Sequence, residues 1–503
     1  MEHPRLLIIE LGSQYTLLIA HTLRELGYRT AVLSPDKADI WLSQHPVSGI
    51  ILSGGPASVY EPSAPQPPIE IFNKKVPILG ICYGMQWLAN HFGGTVNRVE
   101  GSQEYGLAEI TINSDSPLLK GLNKKEPVWA SHGDSILEAP GFIVAARSPT
   151  GSIACMTNER RRQYGVQFHP EVLHTAHGKI ILQNFLKICS ATADWQPASL
   201  ISVLRNRIKK DTENRKVIMA FSGGVDSTVL AAIAAPLCGK GLLGVVIDVG
   251  NLREDELSEI KQHAKAADIK IKVIDARNSI GLFANTINAE EKRRIFQSIY
   301  IKRLHAEAQL WGADCLLQGT LAPDLIESGA TGGESIKTHH NVGLVIDSEQ
   351  LHPLSDLFKY EVRALAEELG LPKSVSERKP FPGPGLLVRI VGKPVTVELL
   401  ELVRWADAQV RAILTKHKVD ADISQLVVAY LGVDTVGVKG DGRVYRGIIA
   451  VRGIRTTDFM TGEGVTFAPK IQKEIAVAIT KHPLVVHVGF FPTDKPPATI
   501  EFE

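Results

Sequence analysis

No stretch of about eighteen consecutive apolar residues occurs in this 503-residue chain, so nothing in it reads as a membrane-crossing helix. Cysteine is scarce. The five (Cys82, Cys155, Cys189, Cys238, Cys315) are odd in number, far apart and without a CxxC pair, which argues against a disulfide framework and against structural zinc. An excess of either charge is also missing. With 55 Lys and Arg against 54 Asp and Glu, no overall field would gather nucleic acid or anionic lipid, and a phosphate-bearing ligand must be held by local groups. There is no internal repeat, no HxH or HExxH metal pattern and no GxxxxGK[ST] phosphate loop. The opening MEHPRLLIIELGSQY has one short apolar run, so a cytoplasmic enzyme is expected.

At 44% hydrophobic and 22% charged the composition is that of a packed globular protein, and the length exceeds what one core supports, so about three to four units are expected. Short Ile-, Leu- and Val-rich runs at 6–11, 49–52 and 76–81, with helical patterns between them, have the character of buried parallel strands. A second series of strand, loop and helix starts with KVIMAF at Lys216 and continues through SGGVDST and TVLAAIAAPL to the strand GLLGVVIDVG. The polar stretch SATADWQPAS at 190–199 reads as a linker, and Pro382 and Pro384 in FPGPGLLVR break any regular helix. RVYRGIIAVRGI and PLVVHVGFF suggest a small α+β end. The predicted fold class is therefore α/β, with two successive parallel-sheet domains at 1–192 and 193–384 and a C-terminal α+β domain at 385–503.

Two segments carry chemistry. In VPILGICYGMQWLANHFGG, Cys82 lies between a buried strand and an amphipathic helix, flanked by Gly80 and Gly84 as in a nucleophile elbow. The helix N-terminus favours a thiolate, so an exposed, activated sulfur is expected. A lone cysteine at a strand end is more often a small buried hydrophobe; YGVQFHPE tips the balance, because His169 and Glu171, two apart on an expected strand, share a face and complete a Cys82, His169, Glu171 triad. Gly54 and Gly55 of SGGPASVY follow another strand. A Gly55 N–H together with that of Tyr83 would make an oxyanion hole.

SGGVDST, between a strand and a helix, turns the N–H groups of Gly223, Gly224 and their neighbours into a phosphate-binding concavity. Asp226 inside such a cradle calls for a divalent cation, Mg²⁺, between carboxylate and phosphate. Asp248 at the end of the next strand reads equally as a ligand group or as a helix cap.

GICYGMQ, SGGP and FHPE, in this order, resemble the triad-type class I glutamine amidotransferases, which implies a flavodoxin-like domain where Cys82 attacks the side-chain amide of glutamine. In that family EYG at 104–106 and SHGD at 131–134 line the pocket. SGGVDS resembles the ATP pyrophosphatases, of adenine nucleotide alpha hydrolase-like fold, and implies that Ser222, Gly223, Gly224, Val225, Asp226, Ser227 and Thr228 bind ATP for adenylation. QGTLAPDLIES, IKTHHN, FPGPGL, DFMTG and KPPATIEFE, with this pairing, resemble the GMP synthetase family over nearly the whole chain. That resemblance implies xanthosine monophosphate (XMP) as acceptor, ATP and L-glutamine as co-substrates, and a C-terminal domain that dimerises the enzyme. It also implies XMP contacts from Arg293, Asp458, Lys495, Thr499, Ile500 and Glu501, and a lid that carries Lys337. Phe502 stands where relatives have Trp, and Lys379 where a histidine is common. The rival readings are another SGGVDS-type amidotransferase, such as an NAD synthetase or tRNA-thiolating enzyme, and a non-catalytic nucleotide sensor. The first has no need of FPGPGL or KPPATIE, and the second predicts a broken triad or loop.

Overall fold

The computed structural model describes residues 5–172, 174–321, 348–456, 462–495 and 497–503. They fall into two compact units, one reaching to Ser199 and the other starting at Leu200.

The first unit is built on β1 (Arg5–Ile9), β2 (Thr30–Leu33), β3 (Val47–Leu52), β4 (Ile78–Ile81), β5 (Thr95–Arg98), β6 (Glu104–Ile112), β7 (Lys125–His132), β8 (Asp134–Glu138), β9 (Ile143–Arg147), β10 (Ile153–Asn158) and β11 (Gln163–Val166). The main sheet has the order β2-β1-β3-β4-β11-β10-β9-β6-β7. Its first five strands run parallel and are apolar on both faces, as helix-covered strands must be. β10, β9, β6 and β7 extend it as an antiparallel wing, which the apolar runs did not announce.

In the second unit β12 (Val217–Ala220), β13 (Leu242–Asp248), β14 (Ile271–Asp275), β15 (Cys315–Leu317) and β16 (Glu349–Leu351) form a parallel sheet of order β14-β13-β12-β15-β16. Strand order reverses between β12 and β15, so the loops after these two strands flank the crevice where open α/β sheets bind ligands. SGGVDST is the first of these loops and Gln318–Thr320 belongs to the second. A β-carbon on Gly319 would lie 3.3 Å from the Asp226 backbone, so the two loops are neighbours.

The chain then passes through a 3₁₀ turn, Gly385–Arg389, just after Pro384. A further sheet follows from β17 (Ile390–Val391), β18 (Gln425–Lys439), β19 (Gly442–Arg455), β20 (Glu463–Gly464) and β21 (Val485–Phe490), packed by the helices Val397–Lys416 and Pro469–Ile479. One hydrophobic core joins both sheets of this unit, from Ile218 and Val245 to Val428, Ile449 and Val485. The expected linker at 190–199 is cut short, because the helix Pro197–Thr212 already begins inside it, with proline in its first turn. Asp248 caps no helix: its Oδ1 accepts the Gly250 N–H at 2.8 Å, and the next helix starts at Glu256.

Candidate active site

Cys82 is held in an unusual backbone conformation, φ 51° and ψ −109°, between β4 and the helix Tyr83–His91. A non-glycine residue there costs roughly 1–3 kcal/mol and persists only where its surroundings fix it. They do. Its N–H donates to Val166 O at 2.8 Å, its C=O accepts from Met85 and Gln86, each at 3.1 Å, and the Gly84 N–H reaches Ser53 O at 3.1 Å. Gly84 cannot be larger, since a β-carbon would sit 2.4 Å from Leu52 O. The sequence expectation of an exposed sulfur is corrected: Cys82 is only 5% exposed, because its sulfur faces the wing of the sheet rather than solvent. Sγ lies 3.7 Å from Ser131 O and 3.7 Å from Gln167 Nε2.

His169 and Glu171 do come together, but not on a strand. β11 ends at Val166 and the two residues stand in a turn around Pro170, which has no N–H to continue a ladder. The turn still brings His169 Nδ1 to 2.7 Å from Glu171 Oε1, with both side chains buried. The His169 main-chain O accepts the Thr175 hydroxyl at 2.6 Å, and Tyr15 packs edge-on against the ring at 5.0 Å. Burial by itself would make this imidazole less basic; the Glu171 charge and the interaction with Cys82 outweigh it and raise its pKa to about 10. Both neighbours thus favour the imidazolium form.

Gly55 and Tyr83 lie close together, as a β-carbon on Gly55 would be 3.5 Å from Tyr83 Cγ. Neither amide has a hydrogen-bond partner among the described residues. The Ser53 hydroxyl, 2.8 Å from the Leu11 N–H and 2.9 Å from Gly54 O, fixes the glycine loop. Of the two segments expected near the pocket, SHGD supplies Ser131 O, and EYG meets it through a 3.3 Å contact from Glu104 to His132.

In the second unit the SGGVDST loop opens the helix Val225–Cys238, with Gly223 at φ 68° and Gly224 as N-cap. Its walls are tied within the loop: the Ser227 and Thr228 hydroxyls donate to Gly224 O at 3.1 and 2.8 Å, and Ser222 Oγ accepts the Gly224 N–H at 3.2 Å. Three supporting side chains come from segments that carry no local sequence signal. His263 Nδ1 bonds Gly223 O at 2.8 Å, Arg378 donates to the same carbonyl, and Lys359 Nζ lies 2.5 Å from Asp226 Oδ2. No local motif marks them; they are 40 to 155 residues from their partners in sequence. Asp226 Oδ1 is buried without a partner among the described residues, an orphaned carboxylate oxygen that suits a cation ligand.

Asp458 and Lys337 lie outside the described residues. The remaining predicted acceptor residues gather around the chain's end. Arg293 Nη2 donates to Glu503 O at 2.6 Å, and Arg452 donates to Thr499 O at 3.0 Å and Ile500 O at 3.3 Å. Glu501 Oε1 accepts from the buried Arg389 at 3.3 Å and from Gln425 at 2.9 Å. Lys495 exchanges two backbone bonds with Gly462, at 2.8 and 2.9 Å. Phe502 packs edge-on against Phe491 with ring centres 5.1 Å apart.

An elbow cysteine beside an acid-paired histidine on one sheet, and a glycine-rich loop at the switch point of another, stand in one chain, and comparison with known proteins gives this pairing its class, an ATP-dependent glutamine amidotransferase. Matching family models are glutamine amidotransferase class-I over residues 7–189, Arginosuccinate synthase N-terminal HUP domain over 216–293 and GMP synthase C terminal domain over 412–502. Among similar proteins, the glutamine-hydrolysing GMP synthase of Finegoldia magna is 38% identical with 100% of both chains covered. That of Thermus thermophilus is 40% identical over 99% of this chain and 100% of its own. The chain belongs to the glutamine-hydrolysing GMP synthase family.

Proposed function

We propose that this chain divides GMP synthesis between two sites, freeing ammonia from glutamine at Cys82 and adenylating XMP at the SGGVDST loop. The enzyme is a ligase that makes GMP with glutamine as amido donor and ATP as substrate. The observation that carries the residue assignment is the 2.7 Å His169–Glu171 pair beside a buried, backbone-strained Cys82. In this reading the Cys82 thiolate attacks the glutamine amide carbon, and the Gly55 and Tyr83 N–H groups receive the developing oxyanion. His169 protonates the departing ammonia, and water hydrolyses the thioester to glutamate.

At the other site XMP O2 attacks the α-phosphorus of ATP. Pyrophosphate leaves the loop of Ser222, Gly223, Gly224, Val225, Asp226, Ser227 and Thr228, and ammonia then displaces AMP to give GMP. Asp226 would hold Mg²⁺, which when bound supplies positive charge against the phosphates. Arg293, Asp458, Lys495, Thr499, Ile500 and Glu501 are assigned to XMP, and Lys337 to the lid. The functional parts are 1–192, 193–384 and 385–503.

A homodimer built through the last part is supported by the hairpin of β18 and β19, where Val436 is half exposed, its cross-strand partner Tyr445 is more than half exposed, and Val438 is 77% exposed. Free cysteines throughout support a cytoplasmic setting. Among the described residues no helix is long and apolar enough to cross a membrane. The test of the reading is to supply ATP, Mg²⁺ and ammonium with a panel of nucleotides. XMP alone should drive AMP and pyrophosphate formation, and turnover with a different acceptor in its place rejects it.

A further inference from the structure

The Cys82 sulfur has two polar neighbours of opposite kind, apart from His169. Ser131 O, 3.7 Å away, can only accept a hydrogen bond, whereas Gln167 Nε2, also 3.7 Å away, can only donate one. A neutral thiol can give its proton to Ser131. A thiolate has no proton to give, and it gains from the amide N–H. Gln167 therefore discriminates between the two forms of Cys82, provided that its amide nitrogen and not its oxygen faces the sulfur.

A chain of buried groups settles that orientation. Gln86 Nε2 lies 3.1 Å from the Asp134 main-chain carbonyl, so this end of Gln86 must be the NH₂ group. The same nitrogen lies 3.4 Å from the amide of Gln167 and requires an acceptor there, which is Oε1. The remaining Gln167 group, turned to Cys82, is then NH₂. Gln86 and Gln167 are each 3% exposed, so water has little opportunity to take over either bond. The Asp134 segment is itself anchored, through Tyr60 OH on Oδ1 at 3.1 Å and through the antiparallel pairing of β8 with β5. Gln167 is fixed from its backbone as well, by its N–H to Ala154 O at 2.9 Å.

We propose that Gln167 is a positioning residue for glutamine hydrolysis: held by Gln86, its amide donates to the Cys82 thiolate and keeps it charged and aimed. This rests on Cys82 being the nucleophile, as argued above. Charged groups facing the sulfur are the His169 imidazolium and, behind it, Glu171. Gln167 adds a neutral donor on another side, and its contribution should survive changes in salt that weaken surface charge.

The experiment measures iodoacetamide alkylation of Cys82 in the full-length enzyme without glutamine, as a function of pH, with Cys82→Ala to identify the labelled site. Gln167→Leu keeps the bulk and removes the donor. The expected result is about a tenfold fall in labelling at neutral pH, with the pH profile displaced to the alkaline side, and an unchanged thermal melt and limited-proteolysis pattern of the unit that holds Cys82 as proof of its folding. Gln86→Glu is the second variant. A carboxylate cannot donate to Asp134 O or to Gln167 Oε1, so it should depress labelling in the parent and add almost nothing in the Gln167→Leu background. An unchanged labelling profile in Gln167→Leu, or additive effects of the two substitutions, overturns the proposal. Should glutamine-dependent synthesis survive in Cys82→Ala, the nucleophile assignment itself fails, and that outcome is separate from either of these.

Discussion

Lys359 Nζ sits 2.5 Å from Asp226 Oδ2 of the SGGVDST loop, although the two residues are 133 positions apart. The ammonium group neutralises one oxygen of the carboxylate and leaves Oδ1 without a partner among the described residues. Asp226→Asn should therefore remove both the proposed cation ligand and the partner of Lys359. AMP formation from XMP should drop by about two or more orders of magnitude with either nitrogen source, while glutamine hydrolysis persists. Near-normal AMP release in this variant would count against the cation role.

The His169 imidazole is more basic in the fold than the value of 6.5 typical of an unperturbed side chain; burial opposes this and the Glu171 charge and Cys82 overcome it, to about 10. A raised value means that the protonated form is the stabilised one. Its contribution is complete below about pH 6.5 and disappears as pH climbs through about 10. If the imidazolium is the acid that protonates ammonia, glutamine hydrolysis should decline along that alkaline limb. Glu171→Gln takes away the carboxylate charge, so the limb should shift toward neutral pH in a kcat profile. A limb that stays in place would detach His169 from the chemistry.

Much of this was legible because local signals were dense. Gly80, Cys82 and Gly84 around one strand end specify an elbow, and SGGVDST after β12 specifies a tight glycine loop that opens a helix, each from residues adjacent in sequence. Other features depend on pairings that no window contains. Lys359 and His263 reach the SGGVDST loop from later helices, and in the antiparallel wing the strands β6, β7 and β9 are partly exposed, with broken apolar runs. The turn at Pro170 shows a third limit. Two-residue spacing anticipated the contact of His169 with Glu171 but attributed it to a strand, where a proline turn achieves the same approach.

The end of the chain separates binding from architecture. Glu501 is engaged by the buried Arg389, which also pairs with the buried Asp407 at 3.2 Å. Breaking one member of a buried ion network costs about 3–5 kcal/mol. Asp407→Ala should thus lower the melting temperature markedly. Lys495→Ala, by contrast, leaves its backbone bonds to Gly462 available, and it should raise the KM for XMP strongly while the KM for glutamine stays within a few-fold. XMP dependence unaltered in Lys495→Ala would make the KPPATIE segment structural.

Cys82→Ala separates the release of ammonia from the activation of the acceptor. GMP formation is followed with saturating glutamine and, in parallel, with saturating ammonium. The first rate should vanish and the second stay close to that of the parent, because in this reading the thiolate serves only to release ammonia. Loss of both rates in a folded Cys82→Ala enzyme, or retention of both, would contradict it.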